Sequence, residues 1–353
     1  MKILVVPDSF KGSLSSAEVC KSIKDGILDS DCNADIITLP FADGGEGFGD
    51  AMANICKGVL LYTNVHNIYG RAVTAPIVTF GNTAVIECAK ASGLLSRKDV
   101  MNASSYGTGE LVKFAVSQGF SKIILGLGGS GCCDGGAGAL AALGAILYDE
   151  NYTKITVPKG KDLNCIFGLS LRNIVKDISF TFACDVDNEY IGKNGAAYVF
   201  APQKGANKTQ VEVLDEGLKR LNAFLPTDVS KVKGSGAAGG ICGGLYSIYG
   251  GEIKSGFDIL AEYSSLEEKI IEADIVVTGE GKTDSQTLMG KLPYKISLLA
   301  KKYGKKCILI SGSVEGVTLG DKTISLVDEN ISTEYAINNA PLLLREKAKY
   351  ILQ

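Results

Sequence analysis

Apolar residues in the opening stretch of the chain come in two rhythms. Lys2 to Val6 is a near-continuous apolar run closed by Pro7, and Ala34 to Leu39 repeats it, as strands buried on both faces do. Between them, Ala17, Cys20, Ile23, Ile27 and Leu28 recur at helical spacing. Ser15 or Ser16 is placed to cap that helix and Glu18 to face its dipole. A second helix is expected from Phe48 to Cys56, so the chain starts as strand–helix–strand–helix, the pattern of a parallel sheet with crossover helices.

Farther along, Ala75 to Phe80 and Thr83 to Cys88 flank Gly81-Asn82 as a hairpin. Ser121 to Leu125, Ile178 to Cys184 and Ala196 to Phe200 read as strands, with a helix from about Ala137 to Leu143. The last hundred residues return to the opening pattern, with strands at Asp274 to Thr278, Lys306 to Ile310 and Thr323 to Val327. We therefore expect an α/β protein with a discontinuous doubly wound, Rossmann-like parallel-sheet domain formed by residues 1–65 and 255–353. A second α/β domain, residues 66–254, is inserted, and the cleft between them is the default ligand site.

Composition narrows the chemistry. At about 150 residues per domain, 353 residues suggest roughly two domains. A net charge of −3 argues against nucleic acid as a partner, and no apolar run approaches the ~18 residues of a membrane span. The start of the chain lacks a secretory pattern, so a cytoplasmic location is expected. A single histidine, His66, leaves no room for a multi-His metal site and makes an imidazole-based triad an unpromising mechanism. Ten cysteines contain no C-x-x-C pair, which excludes zinc ribbons and thioredoxin-type redox motifs. Glycine, 43 of 353 residues, is the excess, and it belongs to loops that something must approach closely.

Five loops at strand ends carry the candidate chemistry. Gly126-x-Gly128-x-x-Gly131 follows a strand, with Asp149 beyond it, which fits a dinucleotide fingerprint. The same loop suits an anion cradle of backbone N–H groups, or simply tight strand–helix packing. Gly279-Glu280-Gly281-Lys282-Thr283 ends like a P-loop, but the first glycine a Walker motif needs is Val276, so that reading fails and Glu280 with Asp284 remains as an acidic pair. Asp8-Ser9-x-Lys11-Gly12 and Asp43-Gly44-Gly45-Glu46-Gly47 would bring a lysine and carboxylates together for an anionic substrate with a divalent cation. Asp185 and Asp187, followed by Asn188, suit magnesium, a base for a hydroxyl, or an Asx-turn.

Taken in order, MKILVVPDSFKGSLSSAEV, PFADGGEGF, YGTGEL, GLGGS with DGGAGAL, CDVDN with NGAAYVFAPQKGA, GAAGG and TGEGKTDSQTLMGK closely resemble the class I glycerate kinases over nearly the whole chain. The resemblance implies transfer of the ATP γ-phosphoryl group to D-glycerate with Mg2+, giving 2-phosphoglycerate, on a two-domain α/β fold unlike the P-loop kinases. Where the family usually has Gly-Gly-Ser-Ala-Thr-Asn-Asp-Gly-Gly, this chain has Gly-Gly-Ser-Gly131-Cys132-Cys133-Asp-Gly-Gly. That departure completes the dinucleotide fingerprint and puts two thiols side by side, from which oxidation sensitivity is expected.

On that resemblance, Asp187 is the expected catalytic base, with Asp43 second, and Lys11 neutralises the glycerate carboxylate or the transferring phosphoryl group. Ser9, Gly44, Gly45, Gly128, Gly129, Ser130, Asp134, Gly135 and Asn188 are expected to bind substrate or phosphate. Glu280, Asp284 and Asp187 are the magnesium candidates, with the substrate hydroxyls as the alternative partner of Glu280 and Asp284. Two other classes stay open at this point: an NAD-dependent hydroxy-acid oxidoreductase, and a relative that binds ligand without turnover.

Overall fold

The computed structural model describes residues 1–30, 33–42 and 47–352. They fall into two compact units: one takes the described residues of 1–43, 50–57 and 257–353, the other those of 44–49 and 58–256.

The first unit is built on a five-stranded, wholly parallel sheet. Its strands are β1 (Lys2–Pro7), β2 (Asp35–Thr38), β12 (Ile275–Thr283), β13 (Lys306–Val314) and β14 (Lys322–Ser325), in the order β14-β13-β12-β1-β2. The buried runs Ile3–Val6, Val276–Gly279 and Cys307–Ser311 fill its centre, registered Ile3 to Ile275, Val5 to Val277 and Ile275 to Lys306. Helix Ser16–Leu28 begins as its sequence predicts, with Ser15 Oγ accepting from Glu18 N–H and Glu18 Oε2 accepting from Ser15 N–H. Its Val19, Ile23 and Ile27 pack on Ile3, Val5 and Val277. Gly26 lets helix Ala340–Ala348 come close, since a Cβ there would stand 2.1 Å from the Arg345 carbonyl oxygen.

The second unit carries β3 (Val59–His66), β4 (Ala72–Phe80), β5 (Thr83–Glu87), β6 (Lys122–Gly126), β10 (Ser179–Ala183) and β11 (Glu252–Lys254) in the order β11-β10-β6-β5-β4-β3. β5, β6, β10 and β11 are mutually parallel, while β3 and β4 form an antiparallel margin. A small antiparallel sheet of β7 (Ile146–Tyr148), β8 (Lys154–Ile155) and β9 (Gly168–Ser170) lies in the same unit. Two differences from the sequence reading stand out. The chain joins this unit at residue 58 rather than 66, because Val59–His66 pairs with β4 along its whole length as an exposed edge strand. Ala196–Phe200 is a helix, not a strand, with Val199 N–H bonded to Gly195 O and Ala201 N–H to Ala197 O. A five-residue apolar run does not distinguish the two by pattern. Among the described residues no helix is long and apolar enough to cross a membrane.

Candidate active site

In the first unit the connection from β1 leads to β2 on one side, while β12, β13 and β14 build outward on the other. The winding reverses between β1 and β12, and open parallel sheets bind ligands outside the carboxyl ends of their strands at that point. The loop after β1 is a tight turn: Phe10 and Leu14 exchange N–H···O bonds at 2.8 and 2.9 Å around Gly12, and Ser9 N–H donates to Asp8 Oδ1 at 2.7 Å. Lys11 stands exposed at its tip with no ion pair among the described residues. Gly281 packs under it, since a Cβ there would lie 3.3 Å from Lys11 N.

Beside that turn, the end of β12 folds polar side chains over one another. Glu280 is buried, and its Oε1 accepts from Thr287 Oγ1 at 2.6 Å and Thr283 Oγ1 at 3.1 Å. Lys291 Nζ lies 3.4 Å from Oε2, and Thr283 Oγ1 is also 3.0 Å from Ser311 Oγ. Asp284 is half-buried; its Oδ1 accepts from Gln286 N–H at 2.9 Å, and its N–H donates to Thr287 Oγ1 at 3.1 Å. Glu280 and Asp284 are thus linked through one threonine. Among the described residues no three His, Cys, Asp or Glu side chains converge on one point. A magnesium ion that arrives with a polyphosphate needs only one or two protein carboxylates and keeps water for the rest. The hard oxygen donors of Glu280 and Asp284 fit that requirement.

The second unit presents its parallel strand ends differently. β6 continues through Leu127, whose N–H reaches Ala183 O, into Gly128-Gly129-Ser130. Gly129 adopts φ +72°, and the loop is laced to residues 92–94 by Leu94 N–H to Gly129 O at 2.9 Å and Gly131 N–H to Ser92 O at 2.8 Å. The N–H groups of Gly128, Gly129 and Ser130 donate to no described residue. Consecutive free N–H groups around a left-handed glycine form a concavity suited to an anion.

Several residues singled out from sequence have other duties. Asp134 is fully buried: Oδ2 accepts from Ser105 N–H, Ser105 Oγ and Gly138 N–H at 2.7, 2.8 and 3.1 Å, and Oδ1 from Gly136 N–H at 3.2 Å. Burial pushes its carboxyl above the usual range against the pull of those donors. It holds the loop rather than facing an anion. Gly135 cannot offer its N–H either, since it donates to Gly239 O at 3.0 Å. Cys132 and Cys133 are both free and fully buried, and burial raises both thiols, Cys133 to about 12. The expected oxidation sensitivity of an exposed pair is overturned.

The dinucleotide reading of the same loop fails on geometry. The helix begins only at Ala137. Gly131 is required because a Cβ would meet Gly93 O at 2.8 Å, not for strand–helix packing. Asp149 closes a turn with Asn151 and Thr153 on the small antiparallel sheet.

After β10, Asp185 accepts from Gly256 N–H at 3.1 Å, and the exposed Asp187 bonds to no described residue. Asn188 Nδ2 donates to the Asn194 carbonyl and side-chain oxygens at 3.1 and 3.0 Å, which closes the loop behind the aspartates. His66 is held by Glu110, 2.9 Å from Nδ1. Asp43, Gly44 and Gly45 lie outside the described residues. In this way Ser9, Lys11, Glu280 and Asp284 gather on strand ends of the first unit, and Gly128, Gly129, Ser130, Asp187 and Asn188 on strand ends of the second. Sequence reasoning missed Thr283, Thr287, Ser311 and Lys291 around Glu280, and Lys204 beneath Ser130. The threonines sit in the same short block as Glu280, which was the signal for them; Lys204 lay in the block APQKGA without a motif to mark it.

Residues 3–353 match the profile of the glycerate kinase family. The chain is 40% identical to glycerate 2-kinase of Escherichia coli K12 over 327 residues, covering 89% of this chain and 86% of that one. It is 34% identical to a glycerate kinase of Bacillus cereus over 362 residues, covering 99% and 93%. A crystal structure assigned to glycerate kinase 2 of Salmonella typhimurium LT2 superposes with a TM-score of 0.89 at 38% identity, covering 99% of this chain and 97% of that one.

Proposed function

The chain belongs to the glycerate kinase family of phosphotransferases, and from that premise we propose that it moves the γ-phosphoryl group of ATP to the 2-hydroxyl of D-glycerate. The observation that carries this reading is the run of free N–H donors at Gly128, Gly129 and Ser130 on a parallel strand end. Such donors suit carboxylate or phosphoryl oxygens, and phosphoryl transfer asks a protein mainly for positioning and charge neutralisation. Both reactants are anions, and Lys11, exposed and without an ion pair among the described residues, supplies a cation.

Within this reading Asp187 takes the hydroxyl proton of glycerate. It is the exposed carboxylate at the end of β10 that no described residue engages, so nothing within the described protein competes for its oxygens. Asp43 is the alternative base. Asn188 braces the loop that carries Asp187, and Ser9 shapes the turn that presents Lys11. Glu280 and Asp284, with Asp187 as a further candidate, would hold magnesium, which when bound with the polyphosphate supplies neutralisation of its charge. The test is a coupled ADP-release assay with ATP, Mg2+ and D-glycerate, with the product identified by phosphorus NMR. ADP release with phosphorus on C2 is expected. Phosphorus on C3 would overturn the regiochemistry, and no ADP from folded protein would overturn the kinase reading.

A further inference from the structure

Lysine is almost never fully buried unless it is paired. Lys204 is 2% exposed, and it makes no ion pair among the described residues. Its backbone is pinned at the end of the turn Pro202–Lys204, with Lys204 N–H donating to Ala201 O at 3.0 Å. Its Nζ donates to Ser130 Oγ at 2.8 Å and to Cys132 O at 2.7 Å. Glu87 and Asp134, buried in the same unit, are engaged elsewhere: Glu87 with Lys90 at 3.3 Å, and Asp134 with Ser105.

An ammonium has donors and no acceptor, so the bond between Lys204 and Ser130 has one possible sense. The serine oxygen receives it, and the serine hydrogen is left to donate to something else. No described residue takes that hydrogen. The three free N–H groups of Gly128, Gly129 and Ser130 belong to the same loop. A buried cation without a counter-charge is costly, and an anion placed against this loop would relieve that cost.

We propose that Lys204 is a positioning residue for an oxyanion subsite. It fixes Ser130 as a hydrogen-bond donor and sets a positive charge behind the Gly128–Ser130 cradle, which receives carboxylate or phosphoryl oxygens. Naming those oxygens as the reactants' own rests on the glycerate kinase reading above; the subsite itself does not.

Ser130→Ala removes the hydroxyl and leaves Lys204 its bond to Cys132. It should melt close to the parent yet raise KM for glycerate, or lower kcat, by roughly ten- to a hundredfold. A raised glycerate KM with ATP KM unchanged identifies the carboxylate as the bound group. A lowered kcat with both KM values held identifies the transferring phosphoryl group. Lys204→Met should do at least as much, and because it acts through Ser130 the double variant should fall well short of additivity. If Lys204→Met does not fold, Lys204→Gln takes its place in the cycle. Parent-like KM and kcat in Ser130→Ala, or additive effects in the double variant, would overturn the proposal. Should the parent release no ADP from D-glycerate, the kinase reading alone has failed. The subsite is then judged by melting with inorganic phosphate: a shift in the parent that the variants lose supports it, and equal shifts in all proteins overturn it.

Discussion

The two parallel-strand edges of this protein are lined by opposite means. At the end of β12, side chains do the lining: Glu280, Thr283, Thr287, Ser311 and Lys291 bond to one another, and the buried carboxylate has a partner on each oxygen. At the end of β6, the backbone does it, with three N–H groups that lack partners among the described residues and a lysine beneath them. A satisfied side-chain network is stiff and offers hard oxygen ligands. A backbone cradle offers donors alone, so it discriminates for anions without depending on which side chains surround it. That explains how the loop can carry Gly131-Cys132-Cys133 and keep its geometry, since the two cysteines point into the core and act there as small apolar residues.

The sharpest way to break this contrast is Asp187→Asn, which removes the exposed carboxylate that no described residue engages. If Asp187 is the base, kcat falls by roughly a hundredfold or more; a loss within about tenfold would return the role to another group. Next is Asp134→Ala. It strands the Ser105, Gly136 and Gly138 donors that shape the cradle, and should cost about 3 kcal/mol in urea unfolding. A cost under about 1 kcal/mol would mean that the loop holds itself.

On the side-chain edge, Glu280→Gln keeps an acceptor for both threonines and loses the charge. It should raise the Mg2+ concentration needed for half-maximal rate by roughly tenfold with little change in melting. An unchanged Mg2+ dependence would reduce Glu280 to a structural role. The smallest effect belongs to a contact outside both edges. Arg345 grips Asp29 at 2.7 and 2.9 Å and holds its carboxyl below the usual carboxylate range. That contribution is present above the unfolded pKa and disappears as pH falls through the folded one. The stability of Asp29→Asn should therefore depend less steeply on pH below about 4 than that of the parent, by acid titration of unfolding. Parallel acid limbs would remove the pair from the account.

Much of this was legible in sequence. The strands β1, β12 and β13 announce themselves as apolar runs because both faces of a parallel sheet are covered. Ser15 and Glu18 form the capping box their spacing implies. The family blocks pointed to the loops that carry Ser9, Lys11, Glu280 and Gly128–Ser130, all of which lie at strand ends. What escaped depended on contacts between distant segments. Val59–His66 is hard to read as a strand because its apolar Val59, Leu60 and Tyr62 are exposed on an edge strand. Ala196–Phe200 is too short to declare its period, and its helical state is what delivers Lys204 to Ser130.

Residue types and their local spacing were enough to determine the parallel α/β class, the family and the strand-end loops, since these follow from hydrophobic period and from chemistry carried within one short segment. Whether a donor within those loops is free or already bonded was decided only by tertiary structure. Gly135 and Gly128 are the same residue in the same loop, yet the N–H of one is taken by Gly239 and that of the other by no described residue. The partner is a hundred residues away in sequence, and hydrogen bonding at that range is set by packing, which no local pattern encodes.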